Sequence, residues 1–230
     1  MQSASVQVTS SLQRAANSSR LPAKVDKEAD TVLPNHSCKL PSMIHVHCTR
    51  KLLTCLPIRE SGVLPNRFGR ADTDLNPLRD WHANVVTVQR RKWVLFVHDA
   101  TRFPVMVKGL LKADFAALAD YFEDSLMNTL LKCGAEERHM NAALACLADL
   151  VCDTECDRSV QGTMNQMLQS FRWMLEYENV DPEIVSAYRT GAWLADQPIT
   201  IRKSRETTWP KDAMLGLLDS IGEPPGIGKA

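Results

Sequence analysis

The sequence has no apolar run near the roughly eighteen residues that a helix needs to cross a bilayer, which excludes a helical span. Polar residues interrupt every short apolar stretch in the first thirty positions, so no secretory signal is expected there. A Gly-rich phosphate loop is also missing: Gly222, Gly226 and Gly228 lie in a proline-containing tail that no strand precedes. There is no nucleophile elbow, no internal repeat and no excess of either charge, with 27 basic and 27 acidic residues. The 7 cysteines cannot all pair with one another, so reduced thiols and a cytoplasmic setting are expected.

What is present is ordinary globular material. A chain of 230 residues with 44% hydrophobic and 23% charged positions can bury one sizeable core. The zero net charge conceals a dipole: residues 43–112 carry 12 basic against 5 acidic side chains, whereas residues 113–200 carry 5 against 15. Such a layout either neutralises itself within the fold or presents a basic face to an anionic partner.

Residues 1–42 are rich in Ser, Asn, Lys and Thr, with Pro22, Pro34 and Pro41 and no sustained period, and read as a disordered extension. Ordered pattern begins abruptly at Met43, which is therefore a candidate for the true translation start. Residues 43–222 form the expected single domain and residues 223–230 a flexible tail. Ile44, Val46 and Cys48 alternate with His45 and His47 as in a strand, and Thr49 is placed to cap a short helix that Pro57 ends. Residues 57–80 read as a long loop that could order on binding. Three β-type runs follow, 83–89, 93–98 and 103–108, joined by short turns, and read as an antiparallel meander.

After Gly109 the apolar period changes to 3.6. Stripes through Phe115 to Leu130, Met140 to Val151 and Val160 to Leu175 predict three helices, with further starts at Pro182 and Pro210. The expected fold is α+β: a small antiparallel meander sheet of about four strands, then four to five helices packed on one of its faces.

Candidate chemistry centres on histidine. His45 and His47 share a strand face, and His82 and His98 fall at the ends of meander strands, so several imidazoles could converge there. His47-Cys48-Thr49 fits the His-x-Thr tripeptide of two-histidine phosphoesterases, but His98 is followed by Asp99-Ala100-Thr101, one residue out of step. Cys146, Cys152 and Cys156 lie near His139, Asp149 and Asp153, yet their gaps of six and four do not suit zinc, and no metal or cofactor is expected. Arg90, Arg91 and Lys92 at a hairpin tip, flanked by Arg79, Trp81, His82 and Trp93, combine cations with aromatic faces as single-stranded nucleic-acid binding requires. The segment from Arg158 to Asn165 opens a helix whose N-terminus could hold an anion.

Four stretches taken in order resemble a known family: Met43 to Leu53, Asp80 to Asn84, Arg90-Arg91-Lys92 with Leu95-Phe96-Val97, and Arg158 to Asn165. It is a bacterial family of unknown function, numbered six-nine-three-three, and the resemblance spans about residues 43–200. The resemblance implies a bacterial, soluble, intracellular protein beginning near Met43, and it carries no catalytic residue over. His47, Thr49, Trp81, His82, Asn84, Arg158, Ser159 and Asn165 are the polar or aromatic positions of these blocks where a site is expected.

The leading expectation is a non-enzymatic binding module whose basic sheet face engages nucleic acid or an acidic protein surface through Arg90, Arg91 and Lys92. The alternative is a phosphodiesterase or ribonuclease with His47 and His82 as acid and base and Arg158 or Lys51 on the phosphate. A structural or partner-regulating role is the third.

Overall fold

The computed structural model describes residues 43–58, 62–65, 76–177, 181–201 and 206–222. The chain divides into a unit ending at Cys38, which lies outside the described residues, and a unit from Lys39 to Ala230. The expected N-terminal extension, the tail at 223–230 and much of the 57–80 loop likewise lie outside them.

Strand β1, Ile44–Cys48, buries alternate residues as its sequence demands. Thr49 then caps α1, Arg50–Leu53, by accepting the Leu52 N–H at 3.4 Å. Strand β2, Val63–Leu64, is followed by the long hairpin strands β3, Asp80–Val88, and β4, Arg91–His98, and by β5, Pro104–Leu110. A 3₁₀ turn at Ala113–Ala117 leads into α2, Leu118–Lys132, and then α3, Glu137–Ala145. Strand β6 is Leu150–Asp153 and α4 is Arg158–Tyr177. The remaining elements are α5, Ala187–Ala195, strands β7, Ile199–Ile201, and β8, Glu206–Thr208, and finally α6, Pro210–Gly222.

The sheet corrects the expected meander. It has six strands in the order β2-β6-β1-β3-β4-β5, and β1 pairs parallel with both β3 and β6. Only the β3-β4-β5 portion is the antiparallel meander that the sequence suggested. The residues between β1 and β3 make a crossover, which is what parallel neighbours require. The other source of the difference is Leu150-Val151-Cys152-Asp153, a four-residue apolar run whose Val151 also falls in register with a helical stripe, an ambiguity that periodicity alone does not resolve.

Nor do the helices occupy a single face. Trp81, Ala83, Val85, Val94 and Phe96 face Phe115, Phe122, Leu126 and Leu130 of the α2 region, together with Met214 and Leu218 of α6. Trp93, Leu95, Val97 and Met106, on the opposite face, meet Val160, Met164, Met167, Leu168 and Phe171 of α4. A sheet buried on both faces needs the nearly unbroken apolar β4 sequence Trp93 to Val97 rather than an alternating one. Phe122 is the anchor of the first core, edge-on to Trp81 at 5.0 Å and tilted against Phe96 at 4.7 Å. Helix α5 closes against β5 and α2 through Gly191, where a Cβ would lie 3.0 Å from the Thr129 methyl.

Gly62 fixes the β2 edge. It has φ +64, its carbonyl accepts the Cys152 N–H at 2.9 Å, and a Cβ there would sit 2.9 Å from the Cys152 oxygen. Gly62→Ala is therefore expected to cost about 1–3 kcal/mol through backbone strain and the close contact. Urea unfolding of wild type and variant measures this, and an unchanged midpoint would contradict the assignment.

Candidate functional site

Parallel register places the central imidazole. His47 on β1 stands opposite His82 on β3 and opposite Asp153 on β6, so all three side chains share the sheet face covered by α4. His47 Nδ1 lies 2.7 Å from Asp153 Oδ1, and His82 Nδ1 lies 2.8 Å from Asp99 Oδ1. An ionised carboxylate only accepts, so each imidazole carries its proton on Nδ1 and donates it. The two rings are 4.9 Å apart.

Their other nitrogens differ. His82 Nε2 accepts the Asp157 backbone N–H at 2.8 Å, which makes His82 a neutral ring bonded at both ends and buried to 3% exposure. It has no lone pair left for a substrate proton. His47 Nε2 has no partner among the described residues, and its side chain keeps 12% of its surface open. Thus His47 alone of the pair has a nitrogen free for acid–base work.

Around this pair the polar groups interlock. Thr49 donates its hydroxyl proton to Asn84 Oδ1 at 2.9 Å, joining the end of β1 to β3. Asp153 Oδ1 also accepts the Glu155 N–H at 2.8 Å, fixing the turn toward α4. Asp157 caps α4 by accepting the Ser159 N–H at 2.6 Å. Arg102, in the left-handed region at φ +62 and only 7% exposed, donates to the Asp99 carbonyl and, at 3.3 Å, to Ser159 Oγ. Burial pulls its guanidinium below arginine's usual value, while the Asp99 and Asp157 carboxylates oppose that shift. Arg102 therefore locks the β4–β5 turn to the first turn of α4.

The remaining expected residues scatter. Lys51 on α1 and Arg158 at the start of α4 are exposed, and Asn165 is exposed two turns further along that helix. Arg90, Arg91 and Lys92 sit at the hairpin tip, eight residues beyond His82, roughly 25 Å at strand rise, so they belong to no shared constellation with it. Trp81 and Trp93 are 0% and 2% exposed, on opposite faces of the sheet. The aromatic platforms expected beside the basic turn are core residues, and bases cannot stack on them.

His98 pairs with Trp81 in register and so faces away from His47. It accepts from Thr101 and its Nε2 donates to the Pro77 carbonyl at 3.1 Å. Cys48 also points to that face, where the Cys152 thiol and then burial raise its pKa far above the ordinary thiol range, leaving no thiolate nucleophile. Cys146 is buried and Cys156 exposed, and no group of three His, Cys, Asp or Glu among the described residues is arranged to hold a metal.

Four residues that complete the site were missed by sequence reasoning: Asp99, Arg102, Asp153 and Asp157. Asp153 was accessible in principle, because the alternation that buries Leu150 and Cys152 places Val151 and Asp153 on the His47 face once β6 is taken as a strand. Arg102 had no local signal.

The architecture is a mixed sheet between helical layers, with His47 and Asp153 near the carboxyl ends of the parallel strands β1 and β6 and His82 near the amino end of β3. The family described as Domain of unknown function (DUF6933) matches residues 45–213, and the chain belongs to that family. No curated protein and no solved structure matches the chain. No helix among the described residues is long and apolar enough to cross a membrane.

Two buried groups give the fold opposing pH dependences. Burial lowers the His98 pKa to about 4, so the unfolded chain binds the extra proton and stability is lost as pH falls from about 6.5 toward 4. Burial, then Asp120 and Asp124, raise Glu123 to about 7, so its effect is the reverse: stability is lost as pH rises from about 4.5 toward 7. In Glu123→Gln the compensating carboxyl is gone, and acidification from pH 6.5 to 4 is expected to destabilise the variant more steeply than wild type. Thermal melts across that range read the difference; parallel profiles would contradict it.

Proposed function

We propose that the chain is an acid–base hydrolase acting on a phosphodiester, with His47 as the proton-transfer group. The observation that carries this reading is the Asp153–His47 pair, with Nδ1 held at 2.7 Å and Nε2 unengaged among the described residues. Asp153 fixes the tautomer and stabilises the imidazolium that forms when Nε2 takes a proton from the attacking hydroxyl or water. The same nitrogen then returns the proton to the leaving oxygen. His82 is a positioning residue, because its two hydrogen bonds tie β3 to the Asp99 turn and to the start of α4. Lys51 in α1 and Arg158 at the start of α4 are exposed on the segments that follow His47 and Asp153, and this reading assigns the phosphate's charge to these two cations although neither contacts His47 among the described residues.

The test measures turnover of bis(p-nitrophenyl) phosphate and of labelled RNA by wild type, His47→Ala and Asp153→Asn. A loss of about 10²–10⁴-fold on removing His47 is expected, with a substantial loss for Asp153→Asn. Equal turnover by wild type and His47→Ala, or none by wild type, would overturn the proposal.

A second reading is favoured by one feature of the hairpin. Gln89 and Arg90 have φ +45 and +67, positions at which two-residue hairpin turns normally carry Asn and Gly. A basic turn held in strained geometry supports electrostatic docking of nucleic acid or an acidic protein surface through Arg90, Arg91 and Lys92. Gln89→Asn with Arg90→Gly is expected to raise stability by about 1 kcal/mol while weakening retention of single-stranded oligonucleotides at low salt. Absence of retention by wild type would remove this reading and leave the first untouched.

A further inference from the structure

Thr49 and Asn84 form the next step of the sheet face that carries His47. The register that sets His47 beside His82 also sets Cys48 beside Ala83, so strand alternation returns Thr49 and Asn84 to the side of the two imidazoles. Their side chains meet at 2.9 Å, and both residues are half-buried. By strand spacing and rise, the Asn84 backbone lies roughly 8 Å from that of His47 on the diagonal. Two hydrogen bonds of about 2.8 Å and the width of one phosphoryl group span a gap of that size.

The helix cap decides which end of the Asn84 amide is engaged. The Thr49 hydroxyl oxygen already accepts the Leu52 N–H at the start of α1. Its one proton goes to Asn84 Oδ1, which leaves Asn84 Nδ2 with two protons to donate. Neither finds an acceptor among the described residues. An amide fixed through its oxygen offers a ligand N–H groups alone, and the ligand atom that suits it only accepts. A nonbridging phosphoryl oxygen is such an atom, with lone pairs, negative charge and no proton of its own. Lys51 and Arg158 are exposed and do not contact His47 among the described residues, so neither holds a phosphorus at a set distance from His47 Nε2. Asn84, in mid-strand and bonded to Thr49, is placed to do so.

We propose that Asn84 binds the substrate of the His47 site by donating from Nδ2 to a nonbridging oxygen of the phosphodiester, with Thr49 fixing the orientation of the amide. The identity of the ligand rests on the hydrolase reading; the free donor does not.

Proton–nitrogen NMR of the full chain titrated with dimethyl phosphate, with sodium chloride at matched ionic strength as the control, reads the contact without turnover. The Asn84 side-chain amide signals, assigned through the backbone, are expected to move saturably with dimethyl phosphate and not with chloride. In parallel, kcat/KM for bis(p-nitrophenyl) phosphate is compared among wild type, Asn84→Ala and Asn84→Asp, with circular dichroism to confirm folding. A fall of at least about tenfold is expected in both folded variants. Unmoved Asn84 signals, equal movement in chloride, or a fall in Asn84→Asp alone, which reports charge repulsion rather than a lost donor, would overturn the inference. If His47→Ala is inactive in that case, the hydrolase reading survives. Saturable movement of the Asn84 signals without turnover by wild type would instead remove the hydrolase reading and support Asn84 as a phosphodiester contact.

Discussion

Strand β1 is five residues long and hydrogen-bonded on both sides to parallel neighbours, and this double pairing constrains almost everything else. It sends Ile44, Val46 and Cys48 into the core under α2 and leaves His47 on the other face, between His82 and Asp153. A slip of one residue would exchange the two faces, burying an imidazole among apolar side chains and stranding Val46 or Cys48 in its place. The register that builds the core is thus the register that builds the site. Helix α2 lies in the connection from β5 to β6, α4 follows β6, and the two cover opposite faces of the sheet.

Helix α4 is the second organising element. Its twenty residues run about 30 Å, and its two ends do different things. At the N-terminus, Asp157 and Ser159 are bonded to His82 and Arg102, so the helix is anchored by buried polar groups rather than by packing alone. Burying Arg102 and His82 costs desolvation, and the cost is offset only because each finds hydrogen-bond partners at defined positions. Such an arrangement tolerates one docking geometry and few others. At the C-terminal half the same helix presents Trp173 and Tyr177 outward, away from the face that meets the sheet.

Local pattern in the sequence carried the alternation of β1, the Thr49 cap, the β3-β4-β5 hairpins, the stripe of α4 and the start of α6 at Pro210. These rest on interactions within a few residues of one another, which is why they are legible. Parallel pairing is not local: nothing in Ile44 to Cys48 says whether its neighbours run with it or against it. Nor could a four-residue run such as Leu150 to Asp153 declare itself a strand while it also fitted the end of a helical stripe. The site followed the same division. His47 and His82 were identified as a pair from the sequence, and they do meet; Asp153 and Asp99, which decide what each ring can do, depend on pairings 106 and 17 residues apart. The aromatic reading of the basic hairpin failed for a related reason. Trp81 and Trp93 neighbour the cations in sequence, but strand alternation and two covered faces turn both indoles inward.

The division of labour between the two imidazoles is the central claim, and nitrogen-detected NMR of histidine-labelled protein at neutral pH examines it directly. The account predicts that His82 is a neutral ring with its proton on Nδ1 and an accepting Nε2, and that His47 also carries an Nδ1 proton bonded to Asp153. Finding the proton on Nε2 of His82, or no Nδ1 proton on His47, would contradict it.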